Sequence, residues 1–269
     1  MDYIKTNKAA WEEAFDMRKP AWGDDNHLLL KSEKLAFFHE DMKKELESLD
    51  LQGKKAAHFC CNNGRELLSL TDLDISEGVG FDFAENIIRQ AKETAIKADI
   101  TNCEFVCCNI LDIPADYHNS FDFIFFTIGS TIWFEDLTLL LKKVEECLKV
   151  GGVLLINELH PFINMLALPG DENYDPQAIT SLKNPYFISE PWVDNEGMEY
   201  MSIDYVSKPF TCFGPTVSDY INAIASNKMT MIKFNEYDYD IGLTDVFDDK
   251  KLPLSFIIIA QKTNADPLI

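Results

Sequence analysis

The sequence predicts an α/β fold: a doubly wound, mostly parallel, seven-stranded sheet with an inserted cap after the fifth strand. Three observations carry this. Short continuous apolar runs alternate with segments of helical periodicity between residues 50 and 160, the pattern of parallel strands covered on both faces. A loop-like, proline-bearing aromatic stretch interrupts that alternation at 161–215. One further helix and two strands then close the chain without a crossover helix between the strands, so one of the two runs antiparallel.

Each element follows from the local pattern. Leu35, Phe38, Met42, Leu46 and Leu49 recur at helical spacing, which predicts a helix ending before Gly53. Ala56-Ala57-His58-Phe59-Cys60 is the first strand. Leu67, Leu68 and Leu70 suggest a helix after Gly64, and Val79-Gly80-Phe81-Asp82 a second strand. Ala84, Ile88, Ala91, Ala95 and Ala98 trace the next helical face. Glu104–Cys108 is the third strand and Phe121–Thr127, rich in Phe and Ile, the fourth. The helix face of Leu137, Leu140, Leu141, Val144 and Leu148 stops at Gly151-Gly152, before the strand Val153–Ile156. Within the cap, Met198–Val206 alternates enough for β-strands. Thr216-x-x-Asp219 has the character of a capping box for a helix carrying Ile221, Ile224 and Ala225. Met229–Tyr237 and Leu254–Gln261 are the last strands. Self-similarity at a fixed period is absent.

Composition narrows the partners. Among 269 residues, 24 Lys and Arg face 45 Asp and Glu, a formal charge of −21. Such a surface repels phosphate, which excludes nucleic acid and anionic membrane as expected partners and leaves a small molecule or a positively charged partner. Hydrophobic residues make up 46% of the chain, enough for a sizeable core and too many for general disorder. No apolar run reaches the roughly 18 residues of a membrane span. Met1-Asp2-Tyr3-Ile4-Lys5 lacks a basic segment leading into an apolar one, so no signal peptide is expected. The seven cysteines include the adjacent pairs Cys60-Cys61 and Cys107-Cys108 but no C-x-x-C spacing. They read as reduced, buried thiols of a cytoplasmic protein, with no metal site.

In a doubly wound sheet, ligands sit beyond the carboxyl ends of the strands. The first strand leads into Cys61-Asn62-Asn63-Gly64-Arg65-Glu66, where Asn and Gly tolerate the left-handed conformations of a tight turn. Asp82 ends the second strand 82 − 64 = 18 residues beyond Gly64, an offset suited to accepting hydrogen bonds from a ribose diol. A purely structural role for the glycine turn is an equal alternative at this point.

The ordered segments resemble the class I S-adenosylmethionine-dependent methyltransferases. The resemblance rests on Ala57–Leu68, Gly80–Ile88, Phe105–Pro114, Phe121–Thr127, Leu148–Leu154 and Glu158-Leu159-His160-Pro161, in the family's order and spacing over roughly residues 50–160. It implies a Rossmann-like fold, S-adenosylmethionine as cofactor with S-adenosylhomocysteine as product, and a small-molecule acceptor. It further implies a cofactor set of Cys60, Asn62, Gly64, Asp82, Phe83, Asn109, Ile110 and Thr127, and a catalytic pair of His160, a candidate base, and Glu158, a strand-end contact or a cap for a neighbouring turn. The domains that follow are a helical lid region (1–50), a cofactor-binding core (51–160), a cap selecting substrate (161–215) and the completion of the sheet (216–269). The chain departs from the family's glycine-rich turn. His58 stands where the acid is usual, Cys60 and Asn62 replace glycines, and Asn109 replaces the customary Asp after the third strand.

Two other classes stay open. One is a non-catalytic binding protein that keeps the fold with a degenerate turn. The other is a nicotinamide-dependent oxidoreductase, which Leu67 disfavours because that spacing wants a small residue. Trp11, Trp22 and Trp133 read either as core packing or as walls of the site.

Overall fold

The computed structural model describes residues 3–198 and 200–264. Part of the Met1–Lys5 stretch, Glu199 within the expected cap strand, and the last five residues of the final segment lie outside the described residues. Three helices precede the sheet: α1 (Tyr3–Asp16), α2 (Asn26–Ser32) and α3 (Glu40–Ser48). The strand-helix alternation then runs β1 (Lys55–Phe59), α4 (Arg65–Ser69), β2 (Glu77–Asp82), α5 (Glu85–Lys97), β3 (Cys103–Cys107), β4 (Phe121–Phe126), α6 (Leu137–Cys147) and β5 (Leu148–Leu159). A two-stranded ribbon of β6 (Trp192–Asp194) and β7 (Phe210–Cys212) follows, then α7 (Val217–Ala225), β8 (Met229–Tyr237) and β9 (Ser255–Lys262).

Seven strands form one sheet in the order β3-β2-β1-β4-β5-β9-β8. β1 to β5 pair in parallel, and β9 runs antiparallel to both β5 and β8. The doubly wound, mostly parallel fold is therefore present, with its order reversing between β1 and β4. A reversal of this kind leaves a crevice at the carboxyl ends of those two strands, because the flanking connections cross to opposite faces.

The alternation of β4 explains its burial. Ile124 and Phe126 pack with α6 and α7 residues such as Leu140, Val144, Tyr220 and Ile224 on one face. Phe123 and Phe125 pack with Met42, Leu46, Leu67 and Ile88 on the other. All four β4 side chains are fully buried. Each contributes roughly 1.5–3 kcal/mol of transfer free energy, so from Phe123 to Phe126 the strand has no solvent face to tolerate polarity. Thr216 and Asp219 form the reciprocal capping box that opens α7.

Local elements differ from expectation in four places. Leu35 adopts φ 50°, which ends any helix there, so α3 starts only at Glu40; Leu35 and Phe38 still bury against it from a turn. α6 ends at Cys147, and Gly151-Gly152 lie inside β5 where its register against β4 shifts. The described residues of Met198–Val206 form no strand: the Met201 and Ser202 N–H groups both donate to the Met198 carbonyl. All seven cysteines are free, but only Cys61 and Cys147 are buried: Cys60, Cys103, Cys108 and Cys212 are partly buried, and Cys107 is exposed at the end of β3.

Candidate functional site

A cavity of 680 Å³ opens at the carboxyl ends of the strands, on the β1/β4 reversal. Its floor begins with the turn after β1. Cys60, Asn62 and Gly64 have φ of 57°, 47° and 75°. The alternating left-handed pattern of a glycine-rich turn is thus kept at two positions by side-chain-bearing residues. Asn accepts this conformation at modest cost, whereas Cys pays about 1 kcal/mol. At Gly64 no other residue fits, since a Cβ would stand 2.3 Å from the Phe105 ring. The Asn62 side chain turns upward, its Nδ2 donating to Tyr200 Oη at 2.7 Å and its Oδ1 accepting from Asn63 N at 2.7 Å.

Asp82 closes β2 within the same floor. Its Oδ2 accepts from Asn62 N at 2.9 Å and its Oδ1 from Ala84 N at 3.1 Å, so the carboxylate ties two strand-end turns together. Burial pushes its carboxyl above the ordinary range, and those backbone N–H donors oppose the shift by favouring the anion. Each oxygen keeps a second lone pair for a ligand. Asn109 caps the short 3₁₀ turn at 110–112, accepting from Leu111 N at 3.3 Å while its Nδ2 donates to Asp112 Oδ2 at 3.1 Å. Thr127 follows β4, and its Oγ1 lies 3.0 Å from Nε2 of the buried His58. The His58 ring stacks on Phe125 at 4.1 Å, and burial pushes its pKa down to about 4.

The cavity lining brings together Cys60, Asn62, Asp82, Phe83, Asn109, Ile110 and Thr127 from the expected cofactor set. Gly64 shapes the turn without lining the cavity. The expected catalytic pair is outside the lining. His160 caps the 3₁₀ turn at 161–165, its Nδ1 accepting from Phe162 N at 3.0 Å with Nε2 3.1 Å from Glu236 Oε1. A nitrogen that accepts from a backbone N–H is not available as a base, and burial lowers this imidazole's pKa further. Glu158 is fully buried and points into the loop after β4. Its Oε1 accepts from Gly129 N and from Leu159 N, and its Oε2 from Ser130 N (3.0 Å), Thr131 N (3.1 Å) and Thr131 Oγ1 (2.9 Å). Three consecutive N–H groups form an anion-binding nest, and Glu158 fills it. Of the two roles open to Glu158, the geometry is that of a cap for a neighbouring turn.

The roof comes from distant segments. Trp22 meets Tyr200 at 6.1 Å, Tyr200 meets Trp11 at 6.3 Å, and Trp11 meets Trp133 at 5.4 Å, giving an aromatic wall over the floor. Asn7 of α1 clasps β7, its Nδ2 donating to Thr211 O at 2.8 Å and its Oδ1 accepting from Thr211 N at 2.7 Å. Lys19 N donates to Met201 O at 2.9 Å along the same seam. Among the aromatic residues of the cap, Tyr200 lines the cavity and Phe210 supports Trp133 from behind at 5.9 Å. Phe162, Tyr186 and Trp192 are outside the lining. Arg65 and Glu66, paired at 2.7 Å, also line it and carried no signal beyond following the glycine. Ile241–Leu243 line it too, in a turn whose N–H groups Asp240 holds; nothing in their sequence marks them.

No helix among the described residues is long and apolar enough to cross a membrane. The chain is similar to several known proteins. The chain is 33% identical over 95 residues to a demethylmenaquinone methyltransferase of Shouchella clausii, covering 34% of this chain and 39% of that protein. It is 27% identical over 145 residues to a tRNA U34 carboxymethyltransferase of Campylobacter hominis, covering 52% and 47% respectively. The matches thus span less than half the length of these curated relatives. Among solved structures, a putative S-adenosylmethionine-dependent methyltransferase from Listeria monocytogenes superposes with a TM-score of 0.63 at 17% identity, over 82% of this chain and 97% of that one. A geranyl diphosphate C-methyltransferase from Streptomyces coelicolor does so with 0.57 at 13% identity, over 91% and 83%. Residues 53–190, more than half of the chain, match the family model described as a methyltransferase domain. With the strand order, the strand-end crevice and this match in agreement, the chain belongs to the S-adenosylmethionine-dependent methyltransferase family.

Proposed function

We propose that this chain binds S-adenosylmethionine across the floor of the cavity and transfers its methyl group to a small, largely apolar molecule held under the aromatic roof. One observation carries the reading: a single cavity joins the polar ends of β1, β2 and β3 to a wall of tryptophan and tyrosine. The floor fits the cofactor. Asp82 has lone pairs to spare for a ribose diol, the 60–64 turn is left-handed where close approach is needed, and Asn109 and Ile110 offer a polar edge beside an apolar surface. When bound, S-adenosylmethionine supplies an electrophilic methyl carbon on a positively charged sulfur. The protein's part is alignment and exclusion of water.

The lining contains no histidine among the described residues, and burial raises the Cys60 and Cys108 thiols, so neither is a ready base. The proposed transfer therefore assigns no histidine or cysteine base to the acceptor. A nucleic-acid acceptor is disfavoured by the formal charge of −21. The names of the relatives, which include both a quinone-directed and a tRNA-directed enzyme, leave this a reading of charge and lining. Free thiols throughout suit a reducing, cytoplasmic setting. A second reading, a binding protein without turnover, draws on one observation: the side chains of Cys60 and Asn62 occupy the cavity wall where glycines would leave it open.

Asp82→Ala tests the cofactor assignment. Loss of two charge-assisted hydrogen bonds should weaken S-adenosylmethionine binding by about tenfold to a hundredfold in calorimetric titration. A wild type that shows no binding even at millimolar cofactor, where a free energy of only about −4 kcal/mol would register, ends the reading. Methyl transfer from labelled cofactor over an acceptor panel then separates the enzyme from the binding protein.

A further inference from the structure

The cavity contains a cation that the cofactor set above does not use. Arg65 opens α4 directly after Gly64, whose left-handed φ of 75° turns the chain so that residue 65 faces the cavity beside Asn62 and Tyr200. Its guanidinium is held at two places. Nε donates to Glu66 Oε1 at 2.7 Å, and the guanidinium carbon stands 5.4 Å from the centre of the Phe37 ring. Glu66 is itself buried, so it fixes the arginine without being free to swing away. The guanidinium carries five N–H donors in a planar fork, and only the one on Nε is spent within the protein. The Nη atoms meet no acceptor among the described residues. A half-exposed fork, oriented by a carboxylate and a ring and presenting two unused edges to a cavity, suits a planar oxyanion bound through two parallel hydrogen bonds.

We infer that Arg65 is the carboxylate subsite of this cavity, its free Nη fork taking the amino-acid carboxylate of the bound cofactor. The inference rests on the cofactor reading and goes beyond it by giving the methionine end an anchor. The same turn would otherwise rely on backbone N–H groups, and here Asn62 N is already committed to Asp82. Replacing glycines at 60 and 62 leaves side chains against that end of the site, and a long, jointed arginine reaches a carboxylate where a backbone nest is crowded. A carboxylate carried by the acceptor has the same chemistry, and the choice of probes separates the two.

The experiment compares two ligands by calorimetric titration of the full chain. S-Adenosylhomocysteine keeps the carboxylate, whereas 5′-methylthioadenosine keeps the adenosine and sulfur without the amino acid. Arg65→Gln should weaken S-adenosylhomocysteine binding by at least about tenfold and leave 5′-methylthioadenosine binding unchanged. Arg65→Lys, which keeps the charge and loses the fork, should weaken the same ligand by less. Thermal melts of both variants check that they fold, and the lysine variant serves if the glutamine variant does not. Unchanged S-adenosylhomocysteine affinity in the variants would overturn the assignment and point to the acceptor as the carboxylate's source. Equal losses for both ligands would overturn it in favour of a structural role. A wild type that binds neither ligand would instead remove the cofactor reading, and this inference with it.

Discussion

The floor of the cavity is drawn from neighbouring strand ends between Cys60 and Leu111, tied by main-chain ladders and by one carboxylate, Asp82, that bridges two turns. The roof is assembled from α1, the loop after β4 and the segment around Tyr200, and its central clasp joins Asn7 to Thr211, 204 residues apart. A floor built on parallel strands cannot move without breaking the sheet. The roof is held by side-chain clasps, by main-chain bonds such as Lys19 N to Met201 O, and by a small buried cluster around Ala10, Ala14, Met198 and Met201, none of them part of the seven-stranded sheet, so it can open without breaking a sheet ladder. A methyltransferase needs both properties: rigid alignment below, and passage for substrate and product above. The loop 127–134 belongs to both regions, and Glu158 pins it from beneath.

The largest effect should come from cutting that pin. Glu158→Ala leaves several buried N–H groups without an acceptor, each costing roughly 1–3 kcal/mol, so stability should fall by about 3 kcal/mol or more. For a chain of this size that lowers the melting temperature by about 6–12 °C. A variant melting like the wild type would mean that floor and roof do not share this hinge. Glu158→Gln, which keeps an acceptor oxygen, should fall between.

Next comes acid sensitivity of the floor. His58 has its pKa lowered by burial to about 4 from 6.5, so the unfolded chain binds its proton first as pH drops. The stability it contributes is present above pH 6.5 and is lost as pH falls from there towards 4. The full loss is on the order of 3 kcal/mol, at about 1.36 kcal/mol per unit. Denaturant titrations across that window should show the slope for the wild type and a flatter one for His58→Gln. Equal slopes would return the acid response to the carboxylates.

Opening the roof alone should cost less. Asn7→Ala removes two hydrogen bonds to Thr211, about 2 kcal/mol in all, which should speed amide exchange in α1 and β7 about thirtyfold. Exchange in β1, β4 and β5 should stay as in the wild type. If the sheet amides speed up equally, roof and floor form one cooperative unit and the contrast between them disappears.

The smallest effect belongs to the turn itself. Cys60→Gly relieves a left-handed non-glycine residue, a gain of at most about 1 kcal/mol that the added flexibility of the unfolded chain partly cancels. Cys61→Gly, at a buried residue without positive φ, should instead cost about 2 kcal/mol. Chemical denaturation of the pair measures the difference in sign. A Cys60→Gly variant as damaged as Cys61→Gly would show that the thiol's packing outweighs the strain.

Much of the floor was legible in the sequence. Phe121–Thr127 reads as a strand from its run of Phe and Ile, and Gly64 followed by Asp82 at the right offset marks the two turns that the carboxylate joins. The left-handed state of Cys60 was not legible, since nothing local distinguishes a cysteine forced into αL from one in a strand; it sits where the chain leaves the β1–β2 ladder, just before Cys61 N donates to Phe81 O at 2.9 Å. His160 and Glu158 were correctly placed at the end of β5, but a position in the chain does not say which way a side chain points. His160 turned to cap the next turn, and Glu158 turned inward to fill a nest.

By itself the sequence determined the strand-helix alternation, the doubly wound order and the strand-end turns of the floor. These follow from hydrophobic periodicity and backbone preferences, which act over a few residues and leave their mark in every window of the chain. Only the tertiary structure decided the roof. Trp11, Trp22, Trp133 and Tyr200 are ordinary aromatic residues in their local windows, and their joining into one wall depends on contacts between segments remote in sequence. Contacts of that kind leave no periodic trace, because the energy that selects them appears only after the sheet has brought the segments together.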